Sequence, residues 1–531
     1  MEGAVGHLND HDYLHISRPS GIWAPQSITH IVLQILQKLR PRNTVTFQFN
    51  LMLKFIAHIS QHETNWLAVV SSMMENMPID SYTITAIVII MRAIPSPNVT
   101  TVNMLLHEQH HLSAHRAVAP YLCIRRENNI CVVLNCLVEK LVGVQCTDIF
   151  TDNVCSYLCH IFINSRNHND LELQMRALLA LEKFAVTNDN KAKILEKLAQ
   201  INKNHLTNLE MFLADTANEY SVRREIGYCA RWALDNIFPK PGRQLSYDTV
   251  DITTINGMLK NDSGNIYLKY SPDLMEIRND TILSQTLHGT CEVEEGMWYY
   301  EITLVTKDSM TIGWGCTGAD TENKVGYEEF SIGYEGKNKL LWYYRAPHEM
   351  GLGRWRKGDV LGCLLDINNK TINFFLNGRQ SMIIYPDFFS PTRPPKKFFP
   401  AITMPPFQQC IVNLGQKPFR TAPEGVQFSA LSSVGQLTPQ QRMVIIYIHS
   451  TFLTICSNKL IVFCCQIYGM PRSAMQERQA SFNASEDACD ICCDRAVDVT
   501  LHPCGHRTLC HECSMKLKTC PVCRAPIAQR R

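Results

Sequence analysis

Residues Cys489-Asp490-Ile491-Cys492, Cys504-Gly505-His506, Cys510-His511-Glu512-Cys513 and Cys520-Pro521-Val522-Cys523 decide how this end of the chain folds. Eleven residues separate Cys492 from Cys504, and six separate Cys513 from Cys520. Thiolates and one imidazole in four pairs suit two tetrahedral Zn2+ ions. Two residues between cysteines make a tight turn that presents both sulfurs to one ion. So short a module, with few large apolar residues, cannot hold itself together by core burial. Metal binding supplies roughly 10–16 kcal/mol per structural zinc in small fingers. Closed four-ligand sites keep no position open for substrate, and no nucleophile or general base accompanies them, so the ions are structural. Cys493 falls outside the spacing and reads as a free thiol.

The whole chain has 531 residues, enough for about three or four domains. Its 51 Lys and Arg against 49 Asp and Glu argue against a protein that works through a broad basic face on nucleic acid. Of 22 cysteines, eight lie between Cys489 and Cys523, and the rest are scattered, as buried thiols in a reducing compartment would be. Clustered CxxC pairs in so large a chain favour metal over disulfides. Met1 to His7 contain neither a basic n-region nor an apolar h-region, which predicts a cytoplasmic protein without a secretory signal. The five Asn-x-Ser/Thr sites, Asn98 and Asn483 among them, matter only in a secreted chain.

Upstream, residues 1–25 are mixed and polar and read as a flexible tail. From 26 to 238 the apolar period is helical. Ile130, Val133, Leu134, Leu137 and Leu141 form one stripe, Leu171, Met175, Leu178 and Ala185 a second, and Val222, Ile226, Cys229, Ala233 and Ile237 a third. Asn169 or Asp170 suits the second helix as N-cap, with Glu172 in its first turn. Each stripe needs another helix against it, so this is an all-α region, possible as a stacked, armadillo-like array although no fixed repeat period is visible. Pro239-Lys240-Pro241-Gly242 ends it and opens a linker over 239–249.

Over 250–420 the pattern becomes short β-branched and aromatic runs: Trp298–Thr306, Met310–Trp314, Leu340–Tyr344, Val360–Asp366, Thr371–Leu376 and Ile411–Leu414. Turn signals such as Asn368-Asn369 and Asn377-Gly378 separate them. Strands at this spacing without helices between them predict an antiparallel β-sandwich. Asp359 and Asp366 fall at strand ends, where carboxylates accept backbone N–H bonds. Trp342, Tyr343 and Tyr344 could anchor a partner, but alternation along a strand assigns them to packing.

Trp355-Arg356-Lys357-Gly358-Asp359-Val360-Leu361-Gly362, then Asp366, then Phe374-Phe375-Leu376-Asn377-Gly378 resemble the core signature of SPRY domains. So do Gly296-Met297-Trp298-Tyr299-Tyr300-Glu301 and Ile312-Gly313-Trp314. The resemblance implies a protein-binding module whose loops at one edge hold a peptide or partner surface.

The tail spacing resembles the RING finger; zinc ribbons and DNA-binding fingers share CxxC pairs but not the single Cys-x-His step, and a PHD-type module places its histidine differently. Carried over, the cross-brace gives one zinc site from Cys489, Cys492, Cys510 and Cys513, and a second from Cys504, His506, Cys520 and Cys523. The family docks a ubiquitin-conjugating enzyme in a shallow apolar groove, whose positions match Ile491, Leu517 and Pro521. Many active members carry tryptophan where Leu517 stands. Arg524 matches the linchpin cation that bridges the conjugating enzyme and its ubiquitin. The expected function is a RING-type ubiquitin-protein ligase with no covalent ubiquitin intermediate. Its SPRY-like domain recruits a protein substrate, its cofactors are two Zn2+, and its short tail after Arg524 fits a RING dimer. The alternative is a scaffold whose zinc module serves folding or dimerisation.

Helical region, sandwich and RING in this order, with Ala180-Leu181-Glu182-Lys183-Phe184-Ala185 and Trp232-Ala233-Leu234-Asp235-Asn236, resemble the RING finger and SPRY domain-containing protein family. One departure is the apolar stretch 444–468 within the linker 421–488. Twenty-five apolar-biased residues could span a bilayer, but Lys459 near the middle costs roughly 2.5–3.5 kcal/mol there. A span would also part the sandwich from the RING. The stretch is therefore expected to be an insertion or translated non-coding sequence, and a membrane is not an expected partner.

Overall fold

The computed structural model describes residues 23–38, 47–78, 81–113, 120–141, 144–164, 171–202, 204–214, 220–251, 255–261, 267–384, 386–390, 396–435, 437, 498–503, 505–507, 509, 511–515 and 527–531. One compact unit ends at Phe238 and a second begins at Pro239. The stretch 444–468 lies outside the described residues, among which no helix is long and apolar enough to cross a membrane.

The first unit is helical. In order come α1 (Pro25–Lys38), α2 (Phe47–Ile59), α3 (Glu63–Asn76), α4 (Ser81–Ala93), α5 (Val99–Ser113) and α6 (Pro120–Lys140). They continue with α7 (Val144–Ile149), α8 (Asp152–Asn164), α9 (Leu171–Phe184), α10 (Asn188–Asn202), α11 (His205–Glu210) and α12 (Val222–Asn236). The apolar stripes explain the packing: Ile130, Val133, Leu134 and Leu137 of α6 and Ile226, Cys229 and Ala233 of α12 are fully buried. Helix α3 packs on α6, α6 on α9, and α9 on α12, so each member of this spine meets the third helix along. That is the arrangement of a stacked helical array, with loops of unequal length concealing the period.

Polar residues on the spine do what apolar periodicity does not predict. The Asn129 amide of α6 donates to the carbonyl of Met77 at 3.1 Å, and Lys140 donates to Met91 O at 3.1 Å, so α6 satisfies the last carbonyls of α3 and α4. Helix α9 is buried on every side, its charged residues Arg176, Glu182 and Lys183 included, with only Glu172 of its first turn part-exposed. Arg176 pairs with Glu172 at 2.6 Å, and Lys183, 1% exposed, pairs with Glu139 of α6. A buried ion pair contributes little net, but removing one partner strands the other. Lys183→Ala is expected to cost about 3–5 kcal/mol, read as a lower melting temperature of the helical unit. Lys183→Met with Glu139→Leu should recover most of it. If the single variant melts with wild type, the pair has no structural role.

The second unit holds a sandwich of β1 (Leu259–Lys260), β2 (Leu268–Tyr270), β3 (Glu276–Asn279), β4 (Gln285–Gly289), β5 (Met297–Leu304), β6 (Thr311–Cys316), β7 (Ser331–Glu335) and β8 (Leu340–Tyr343). It continues with β9 (Ala346–Glu349), β10 (Val360–Asp366), β11 (Thr371–Leu376), β12 (Arg379–Ile384), β13 (Phe398–Met404), β14 (Gln408–Asn413) and β15 (Ser429–Ala430). One sheet runs β1-β4-β13-β6-β7-β8-β9 and the other β12-β11-β10-β5-β14-β3-β2. All these pairings are antiparallel; β15 alone lies parallel, on β5. The core between the sheets is aromatic, with Trp314, Tyr300, Tyr334 and Phe374 buried. Gly313 is required where β6 meets β7, because a Cβ there would stand 2.1 Å from Ile332 O.

Candidate functional site

The zinc module's described backbone is a frame of short pieces. Strand β16 (Leu501–His502) pairs with β17 (Gln529–Arg530), and Val499 bridges Leu509. Leu501 N donates to His506 O at 2.8 Å and Gly505 N to Leu501 O at 2.7 Å, closing a loop that carries His506. Gly505 has φ +74°, a left-handed turn that glycine adopts without strain. Helix α13 (His511–Met515) carries the backbone of Cys513, and Arg530 Nε donates to Ser514 O at 2.9 Å, tying β17 to that helix.

Of the predicted ligands, His506 lies on the closed loop and half-buried. Cys489, Cys492, Cys504, Cys510, Cys520 and Cys523 and the side chain of Cys513 lie outside the described residues, as do Ile491, Cys493, Leu517, Pro521 and Arg524. The residues fit zinc on two observations. The donor set is thiolate and imidazole, as Zn2+ prefers. The left-handed turn at Gly505 stands directly before His506 on the loop that Leu501 closes. Elsewhere, among the described residues, no three His, Cys, Asp or Glu side chains gather to hold a metal. The ten cysteines whose side chains are described, all upstream, are buried and in no disulfide. Burial pushes the thiols of Cys146, Cys291 and Cys316 up to about 11, so they stay protonated and inert.

In the sandwich the carboxylates at strand ends bond as expected. Asp359 accepts from Arg356 N at 2.6 Å and from the Asn377 amide at 2.9 Å; Asp366 accepts from Asn369 N at 3.0 Å. Sequence reasoning passed over Glu301. Its buried carboxylate accepts from Arg420 N at 2.8 Å and Thr421 N at 2.7 Å, pinning the segment after β14, whose Phe419 and Phe428 pack on Tyr299. A charged residue inside an apolar strand was the available signal.

The assignment of Trp342, Tyr343 and Tyr344 to packing needs correction. Tyr343 packs on the core and Trp342 is half-buried, but Tyr344 is 65% exposed. Alternation stops there because β8 ends at Tyr343 and the chain turns: Tyr343 faces Ala346 across the hairpin, so Tyr344 and Arg345 form a two-residue turn. Both have positive φ, 49° and 63°. That turn class favours Asn-Gly, and each bulky residue there costs on the order of 1–2 kcal/mol.

The family model for the SPRY domain matches residues 297–417, and that for the C3HC4-type zinc finger (RING finger) matches 485–530. The chain is 30% identical over 168 residues to the E3 ubiquitin-protein ligase RKP of Arabidopsis thaliana, covering 31% of this chain and 12% of that protein. It is 36% identical over 61 residues to an inhibitor of apoptosis protein of Gallus gallus, covering 12% of this chain and 9% of that one. It therefore spans only a small part of either relative's length. Among solved structures, the SPRY domain of human HERC1 is similar at a TM-score of 0.24 and 13% identity, covering 31% of this chain and 97% of that domain. Helices first, an antiparallel sandwich next and a zinc module last, the chain is a multidomain protein that carries a SPRY domain and a C-terminal RING finger.

Proposed function

We propose that the chain is a RING-type ubiquitin-protein ligase: the SPRY domain holds a protein substrate, and the RING docks a ubiquitin-conjugating enzyme for transfer to a substrate lysine. The observation that carries this is the complete donor set, Cys489, Cys492, Cys504, His506, Cys510, Cys513, Cys520 and Cys523, within a segment matched as a RING finger. Two bound zinc ions would shape the docking surface and take no part in the chemistry. Ile491 and Pro521 supply its apolar contacts. Arg524 directly follows the last ligand, and its planar fork can bridge two acceptors at once. Such a bridge holds the loaded thioester in one orientation, which is catalysis by positioning. A scaffold role is the second reading, favoured by one residue: Leu517 offers less contact area than the tryptophan many active RINGs place there.

Arg524→Ala and Ile491→Ala test the ligase in a reconstituted assay with several conjugating enzymes. Each charge-assisted bond is worth about 1.5–3 kcal/mol, so Arg524→Ala should slow ubiquitin discharge about tenfold or more with zinc content unchanged. If both variants form chains at the wild-type rate, the docking assignment is wrong.

A further inference from the structure

We infer that Cys155 and Cys159 of α8 form a peroxide-sensitive dithiol: Cys155 is oxidised to a sulfenic acid, and Cys159 then closes a reversible disulfide with it. Four residues apart on one helix, the two side chains are neighbours on the same face. Cys155 N donates to Thr151 O at 3.0 Å, which closes the first turn of α8. Helix α10 packs on α8. At the mouth of that seam Lys193 Nζ of α10 stands 3.5 Å from Asp152 Oδ1, and both side chains are open to water. Cys155 is 4% exposed and Cys159 0%, so a small oxidant entering there reaches Cys155 first.

The pair differs from the other buried thiols of the helical unit. Burial pushes Cys131 and Cys136 up, as it does Cys146, and keeps them protonated. At Cys155 the balance is reversed. The Cys159 thiol donates a hydrogen bond to the Cys155 sulfur, and Lys197 and Lys193 of α10 add positive charge. Together they outweigh burial and Asp152 and hold the Cys155 thiol below its usual range. The same bond, with burial, pushes Cys159 up. One sulfur is thus a nucleophile and its neighbour a protonated thiol placed to resolve the oxidised product.

The oxidant is hydrogen peroxide. The Cys155 thiolate attacks one peroxide oxygen: an S–O bond forms, the O–O bond breaks, and the hydroxide that leaves takes up the proton Cys155 had lost. The Cys159 sulfur then attacks the Cys155 sulfur: an S–S bond forms, the S–O bond breaks, and the hydroxyl leaves as water with the Cys159 proton. Two electrons pass from the sulfurs to the peroxide, and two waters result. Helical neighbours at this spacing hold their Cβ atoms about 5–6 Å apart, whereas a disulfide needs about 3.5–4.5 Å. Closing the bond therefore tightens the first turn of α8, and strained disulfides are readily reduced. The link is a reversible mark on the helical unit and not a structural staple.

Peptide mapping of the full chain tests this. The folded wild type is treated with hydrogen peroxide, its remaining thiols are alkylated in denaturant, and the digest is read by tandem mass spectrometry. The segment holding Cys155 and Cys159 should lose two hydrogens as one internal link, and reduced glutathione should restore them. The link should form about tenfold faster, or more, than Cys131 or Cys136 is modified. In Cys159→Ala, dimedone should trap the sulfenic acid on Cys155; in Cys155→Ala, Cys159 should stay unmodified. The wild-type map decides the matter even if either variant misfolds. The assignment is overturned if the wild type forms no such link, pairs either cysteine elsewhere, or keeps the link in glutathione. A dimedone adduct on Cys159 also overturns it, as does helical circular dichroism that is lost before the link appears, since the pair would then react only in unfolded chains.

Discussion

Chelating the metal from the tail is expected to unfold residues 489–531 and abolish ubiquitin chain formation, leaving the helical unit and the sandwich folded. The physical ground is the poverty of the core. Among the described residues of this module the buried apolar side chains are Val499, Leu501 and Leu509. A segment this short holds too little core to fold on burial alone, and each structural zinc in a small finger supplies roughly 10–16 kcal/mol of folding free energy. Cys492→Ser should behave as partial chelation. Elemental analysis, circular dichroism of the isolated tail and the ubiquitination assay on the full chain read the three consequences. A tail without bound zinc, or one whose spectrum survives strong chelation, contradicts the two-zinc assignment.

Asp280→Asn is expected to destabilise the sandwich by about 3–5 kcal/mol, a large part of the 5–15 kcal/mol that holds a typical domain. Asp280 is fully buried and neutralises two buried cations, Lys269 at 2.9 Å and Arg278 at 2.8 Å. Arg278 also reaches Gln409 at 2.9 Å, whose amide donates to Glu276 at 2.7 Å, so the network ties β2, β3 and β14 together. The amide keeps the shape and removes the charge, leaving two desolvated cations beside a neutral group. Replacing Lys269, Asp280 and Arg278 together by apolar residues of similar volume should restore much of the loss, because the desolvation penalty disappears with the charges. Thermal melting of the three proteins decides it. If Asp280→Asn melts with wild type, this network does not hold the sheet.

The strands at Val360–Asp366 and Thr371–Leu376 were visible because β-branched and aromatic runs end in Asn-rich turns. Strand β3, Glu276-Ile277-Arg278-Asn279, was not, since its polar residues are buried between β2 and β14, the latter more than a hundred residues along. Likewise the stripe on α9 showed one apolar face, while its other faces are buried by α6, α8 and α12. At the candidate sites the division is the same. Donor spacing announced the zinc module, whereas the exposure of Tyr344 emerged only from the turn that ends β8.

Taken alone, the amino-acid order determined the helical and β-rich regions, their succession and the metal-binding chemistry of the tail. Those follow from neighbours within a few residues, through helical period, turn propensity and the reach of two thiols across a tight loop. Only the tertiary structure decided which charges lie inside, which strand edges stay open and which aromatic side chains face water. Each of these depends on what a distant segment covers, and burial is a property of the assembled layers rather than of any local window.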